Sequence, residues 1–251
     1  MNSNSWKAIF DKYEIMKHDF DSEPYIIDAE QIKQATKHFI KTNEREVRIL
    51  CKQDSREDRP DVFVENNLFL LPVRNGEYAI VKGEGYFDIS EIKSVVKIYN
   101  SKLGFNLDTS LVGNSEMQHL DFAYAASLIR TFLEDDSLVL TIRGRKYTPK
   151  FSFNVGKQKI TAESVQTEVD AGYEGKNQVV LIEAKNNSTK NTIIRQLFYP
   201  YRQWQLHTEK QVKSLFFEKR GNNYLLWHYE FQNPNDYNSI VLLKSECYEI
   251  I

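Results

Sequence analysis

Residues 166–187 read QTEVDAGYEGKNQVVLIEAKNN, and the fold is decided there. The segment Ser164–Ala171 alternates as a strand does, and Glu174–Asn177 carries turn chemistry. The apolar run Gln178–Ala184 is a second, more deeply buried strand. Residues two apart in a strand share a face, so Glu168 goes with Asp170, and Glu183 goes with Lys185. Pairing Tyr173 with Gln178 would set Asp170 opposite Leu181 and diagonal to Glu183. That diagonal is about 7–8 Å at Cα, a gap two carboxylates can span around one divalent cation. The same register sets Glu168 opposite Glu183, which is unfavourable unless a cation compensates.

On either side of this hairpin the chain reads as alternating helices and strands. A helix starts at Ser115, with Ser115 as N-cap and Gln118 at the third helical position, and runs through Leu120, Ala123, Tyr124, Leu128 and Phe132. Strands are expected at Ser137–Ile142 and Lys150–Val155 before the hairpin. After it come an amphipathic helix from Asn191 to His207, interrupted by Pro200, and strands at Val212–Glu218 and Tyr224–Tyr229. The fold class is therefore α/β, an α+β mixed sheet with helices packed against it. Residues 111–251 form this domain, and residues 1–110 form a smaller one. In the smaller part, Asp28 caps a helix reaching Ile40. Asn75-Gly76 then closes a hairpin between Asn67–Val73 and Glu77–Lys82. A helix plus a hairpin is compatible with a winged-helix-like module, a pattern that many small folds share. Gly83-Glu84-Gly85 reads as a turn, with no helix placed after it to make a phosphate loop.

Composition narrows the chemistry. Hydrophobic residues make up 41% and charged residues 27% of the 251 positions, the values of an ordinary globular protein. No apolar run is long enough for a membrane span, and Met1–Phe10 lacks a leader pattern, so a cytoplasmic location is expected. Cys51 and Cys247 stand far apart and the five histidines are scattered. A soft-ligand metal site is not expected, and any metal should be a hard cation on carboxylates. The net charge of −2 is segregated. Six cations and no acid fall between Thr141 and Ile160, and eight cations face only Glu209 and Glu218 between Lys185 and Arg220. Such one-sided charge suits phosphate binding, and solvated helix and loop faces would produce it as well.

Three carboxylates and an ammonium beside a buried sheet suit phosphodiester hydrolysis. Magnesium held by Asp170, Glu183 and Glu168 would polarise the phosphate and activate a water. Lys185, among carboxylates, favours its charged form and suits charge stabilisation better than general base work. Gln196 on the following helix either bonds near the site or caps a backbone group. Arg143, Arg145, Lys146, Lys190, Arg195 and Arg202 are candidates for DNA phosphates.

Asp170, twelve intervening residues, and Glu183-Ala184-Lys185 behind the apolar run Val179–Ile182 resemble the PD-(D/E)xK nuclease superfamily. The flanking Glu168-Val169-Asp170-Ala171-Gly172-Tyr173-Glu174 and Arg195-Gln196-Leu197-Phe198-Tyr199-Pro200 are similar to a group of type II restriction endonucleases. Val169 stands where the family motif has proline. The resemblance covers about residues 143–230, and residues 1–110 are expected either to help select the DNA sequence or only to complete the core or the dimer interface. It implies a restriction-endonuclease-like core, magnesium (or manganese)-dependent cleavage of double-stranded DNA, and a DNA methyltransferase that protects the host. For a palindromic site it implies a homodimer. The alternatives are a repair or recombination nuclease on the same fold and a non-catalytic DNA-binding or assembly module. A glycosidase built on Glu168 and Asp170 would leave Lys185 without a role.

Overall fold

The computed structural model describes residues 2–186 and 188–251, with the side chain of Leu111 outside the description. The N-terminal part contains α1 (Ser3–Lys12), β1 (Tyr25–Asp28), α2 (Ala29–Thr36), α3 (Thr42–Arg45), α4 (Val47–Leu50) and α5 (Asp61–Glu65). Strands β2 (Leu68–Arg74), β3 (Glu77–Lys82), β4 (Tyr86–Asp88) and β5 (Lys97–Tyr99) follow. The larger part begins with α6 (Glu116–Ala125) and α7 (Leu128–Leu133). It continues through β6 (Val139–Tyr147), β7 (Phe151–Val155), β8 (Gln158–Ala162), β9 (Gln166–Glu174) and β10 (Gln178–Lys185). It ends with β11 (Asn191–Ile193), α8 (Arg195–Gln205), β12 (Gln211–Arg220), β13 (Asn223–Phe231) and β14 (Ile240–Ile250).

A seven-stranded mixed sheet in the order β5-β14-β13-β12-β10-β9-β6 organises the molecule. Strands β10 and β12 run parallel, and a parallel pair needs a crossover; here β11 and α8 supply it. The sheet is covered on both faces. Leu120, Leu128, Ile129 and Phe132 of α6 and α7 pack against Tyr173, Val180, Ile182, Leu215 and Phe217. On the other face Leu197 and Phe198 of α8 meet Phe216 and Trp227, together with Phe153 of the β7–β8 hairpin. The apolar strand β2 is buried on both its faces. Phe69, Leu71 and Val73 join the α8-side core, whereas Leu68 and Leu70 join Trp6, Ile9, Phe10 and Phe63 in an N-terminal core. Alternation along one strand thereby ties the small N-terminal region to the large sheet.

Local signals account for many of these elements. Gly76 takes φ +79° at the turn between β2 and β3, a conformation glycine adopts without strain. The Asp28 side chain accepts the Gln31 N–H, and the Gln31 side chain returns the bond, a complete capping box. Ser115 caps α6 through the Gln118 N–H. The Gln118 amide bonds instead to Thr109, Ser110 and Val112 carbonyls.

Several expected elements differ. The helix beginning at Ser115 is broken into α6 and α7 because Ser127 sits at φ +65°. The helix expected from Asn191 starts at Arg195, since Asn191–Ile193 pair with Tyr86–Asp88 of β4. Strand β7 pairs with β8 across a turn containing Gly156 at φ +56°, and β14 extends the sheet beyond Tyr229. Among the described residues no helix is long and apolar enough to cross a membrane.

Candidate active site

The hairpin of β9 and β10 has a tighter turn than its sequence suggests. Gly175 donates its N–H to the Gln178 carbonyl at 2.8 Å, leaving Lys176 and Asn177 as the loop. The register is therefore Tyr173↔Val180 and Ala171↔Ile182, two residues away from the expected pairing of Tyr173 with Gln178. A two-residue slip keeps every side chain on its face. Continued one step, that register would set Asp170 directly across from Glu183, not diagonal, but the ladder ends at Ala171↔Ile182.

A second irregularity sits at Asp170 itself. The pairing of β6 with β9 steps from Ile142↔Gly172 to Gly144↔Val169, so β9 carries one extra residue there. Val169 packs with Val179 and Leu181, whereas Ala171 packs on the opposite face against the α6–α7 core. A bulge of this kind re-aims a side chain, and here it releases Asp170 from strict alternation. The Asp170 Oδ2 turns along the strand and accepts the backbone N–H of Ala184 at 2.6 Å. Glu168 is exposed and paired with Arg145 at 3.1 Å; it lines the same cavity as Asp170 and Glu183 and is among the charges raising Asp170. No group of three or more His, Cys, Asp or Glu side chains that could hold a metal occurs among the described residues.

Asp170, Glu183 and Lys185 do converge. Glu183 is buried, and its Oε1 lies 2.6 Å from Lys185 Nζ. Burial pushes the Glu183 carboxyl up to about 7, with Asp170 adding to the rise and Lys185 opposing it. Burial also raises Asp170, against the Ala184 N–H and Lys185. For Lys185, burial works towards a lower value, but Glu183, Asp170 and Glu116 outweigh it and the net shift is upward. Two hard-oxygen donors on neighbouring strands, both held up by desolvation, fit a divalent cation, because its charge would relieve the cost of ionising them. Asp170 and Glu183 would hold it.

Residues absent from the sequence reading complete the surroundings. Glu116, in the first turn of α6, accepts the Asn186 N–H at 3.2 Å and lies close enough to act electrostatically on Asp170 and Lys185. Its position on a helix start gave no signal beyond capping. Glu218, in register with Lys185 on β12, is fully buried. It accepts the Thr189 N–H at 2.7 Å and pairs with Arg220. That fastens the segment following β10.

A cavity of about 680 Å³ opens over the cluster, and both parts of the chain line it. Asp170, Glu183, Arg195 and Gln196 stand on one part, and Lys33, Arg48, Lys52 and Gln53 on the other. Asp54 pairs with Arg195 at 3.4 Å and is among the charges raising Glu183. Arg56 and Glu57 hold this segment through the Asn191 side chain. Gln196 accepts the Thr192 hydroxyl. Of the remaining cations proposed for phosphates, Arg143 pairs with Asp121 and Arg145 with Glu168. Lys146 and Lys190 are exposed. Arg202 bonds to Pro234 and Asn235 and lies over the Phe151 ring, away from the cavity lining.

Residues 81–249 match the family model described as a domain of unknown function, DUF6997, and residues 3–80 match a second such model, DUF6996. No curated protein and no solved structure matches the chain.

Proposed function

This chain belongs to the DUF6997 family, and we propose that it is a metal-dependent endodeoxyribonuclease cutting duplex DNA, as a sequence-specific type II restriction enzyme does. The observation that carries this reading is that Asp170 and Glu183, from adjacent strands, meet at one cavity with Lys185 Nζ bonded to the Glu183 carboxylate. When bound, magnesium or manganese would polarise the phosphate and make its water a stronger acid. Asp170 and Glu183 supply the anionic oxygens that retain such an ion, and the Ala184 N–H fixes the Asp170 carboxylate in place.

Lys185 is the electrostatic partner of the reaction. Its raised pKa keeps the ammonium charged at neutral pH, so it stabilises negative charge growing on the phosphoryl oxygens as water attacks phosphorus and the P–O bond to the leaving sugar breaks. A charged lysine is a poor proton acceptor, which argues against a general base role. The cations Lys33, Arg48, Lys52 and Arg195 around the same cavity supply the sequence-independent attraction for DNA phosphates. A homodimer would match a palindromic site, and a methyltransferase of the same specificity would be its functional partner.

The test is incubation of the purified full chain with a panel of plasmid and phage DNAs in magnesium, with the fragment ends sequenced. Discrete fragments whose ends map to one short sequence are expected, and chelator should abolish them. Absence of any magnesium-dependent cleavage across the panel overturns the reading. Cutting with no common sequence at the ends moves it towards repair or recombination.

A further inference from the structure

Gln53 lies in a stretch that reads as a polar loop, yet its side chain is only 3% exposed. Both amide atoms, Oε1 and Nε2, are buried without a hydrogen-bond partner among the described residues. Buried amides are nearly always satisfied, and an orphaned one carries a desolvation cost that calls for a reason. The backbone around it is firmly held. Tyr86 Oη donates to the Gln53 carbonyl at 3.1 Å, and the Ile193 N–H donates to the Asp54 carbonyl at 2.9 Å. Gln53 lines the same cavity as Asp170 and Glu183. The Nε of Arg195, on that lining too, is likewise buried and unpartnered.

From this geometry we infer that Gln53 is a specificity-determining residue that reads an adenine of the bound DNA beside the cleaved phosphate. The inference rests on DNA being the ligand of this site. A glutamine amide presents one donor and one acceptor side by side. The major-groove edge of adenine presents the complement, the N7 acceptor and the N6 donor, whereas guanine presents two acceptors there and selects arginine. Because no protein hydrogen bond of the amide is broken, rotation about the Gln53 side chain carries it to the cavity surface at little cost. The pinned backbone keeps the residue in place as it does so. Phosphates engaged by Lys33, Arg48, Lys52 and Arg195 would set the register, and Gln53 would add the sequence information.

The experiment is a binding selection from a random duplex library in calcium, using the full chain as wild type, Gln53→Leu and Gln53→Glu, each checked for unchanged thermal stability. Wild type should enrich a motif containing an adenine. Gln53→Leu should lose discrimination at that one position by about 5- to 150-fold, the range for one bidentate base contact, with the rest of the motif intact. The isosteric Gln53→Glu should turn the preference there towards cytosine, whose N4 amine donates to a carboxylate. An unchanged adenine preference in both variants overturns the inference. So does loss of all preference at once, or a wild type that selects no motif. Cleavage in magnesium is scored in parallel. A protein that selects the motif through Gln53 but cuts nothing contradicts the nuclease reading alone. One that cuts at a motif unmoved by the Gln53 variants contradicts this inference alone.

Discussion

Asp170 stands in for a strand backbone: its Oδ2 accepts the N–H of Ala184 at 2.6 Å, where the bulge in β9 interrupts the ladder. One carboxylate thus both closes β10 between Glu183 and Lys185 and offers charge to the cavity. These roles separate by substitution. Asp170→Asn retains an acceptor for the buried Ala184 N–H, whereas Asp170→Ala orphans it, at about 1–3 kcal/mol. Urea unfolding should find the alanine variant the less stable by that amount. Equal stabilities would mean that the bond does not hold the strand.

The Glu183 carboxyl couples metal binding to pH. Its folded-state value near 7 lies above its ordinary value of 4.5, so between these values the folded chain holds a proton that the unfolded chain releases. In chelator, this group's contribution to stability is complete below about 4.5 and is lost as pH rises towards 7. A cation on Asp170 and Glu183 must displace that proton. The rise in Tm on adding magnesium should therefore be larger at pH 8 than at pH 5, with affinity falling about tenfold per unit below 7. Calorimetric scans with magnesium and with chelator measure it. A magnesium effect equal at both values would speak against a site on Glu183.

His228 produces the opposite slope. Burial, then Lys213 and Lys244, push it from the ordinary 6.5 down to about 4. Below 6.5 the unfolded chain takes up a proton that the folded chain refuses, so the stability present above 6.5 is lost as pH falls towards 4. His228→Leu should flatten this acid limb. Comparison of urea midpoints at pH 7 and pH 5 tests it, and an identical gap from wild type at both would exclude His228 as the cause.

Gly172 sets how closely β6 approaches the strand of Asp170. A Cβ there would lie 2.6 Å from the Ile142 Cβ, so neither side chain can turn aside and the strands must separate. Gly172→Ala should cost about 1–3 kcal/mol and lower cleavage by shifting the bulge. Gly104→Ala, where an added Cβ meets nothing within 4 Å, serves as the silent control. A melting temperature as unchanged in Gly172→Ala as in the control would refute the close packing.

Local chemistry was legible in the sequence and long-range geometry was not. The caps at Asp28 and Ser115, the turn at Asn75-Gly76 and the apolar β10 rest on near neighbours, and the structure has them. The grouping of Asp170, Glu183 and Lys185 was legible too, because a register error of two residues preserves faces. Glu168 lines the same cavity, and its pairing with Arg145 was not legible because it depends on the register of β6 with β9. Asn191–Ile193 read as helix because its strand partner is Tyr86–Asp88, about a hundred residues away. Gln53 looked like any loop glutamine, since burial by Tyr86 and the β11 segment is invisible in a one-dimensional pattern.

One comparison tests whether Asp170 and Glu183 retain a divalent cation while Lys185 stabilises the reacting phosphate. Cleavage of supercoiled plasmid bearing the mapped site is followed in magnesium for wild type, Asp170→Asn, Glu183→Gln and Lys185→Ala at equal folded concentration. Wild type should cut efficiently, and each variant should lose at least about a hundredfold, the scale for removing one preorganised charge at a transition state. DNA binding in calcium should persist in Lys185→Ala. Near wild-type cutting by any of the three variants would contradict these roles.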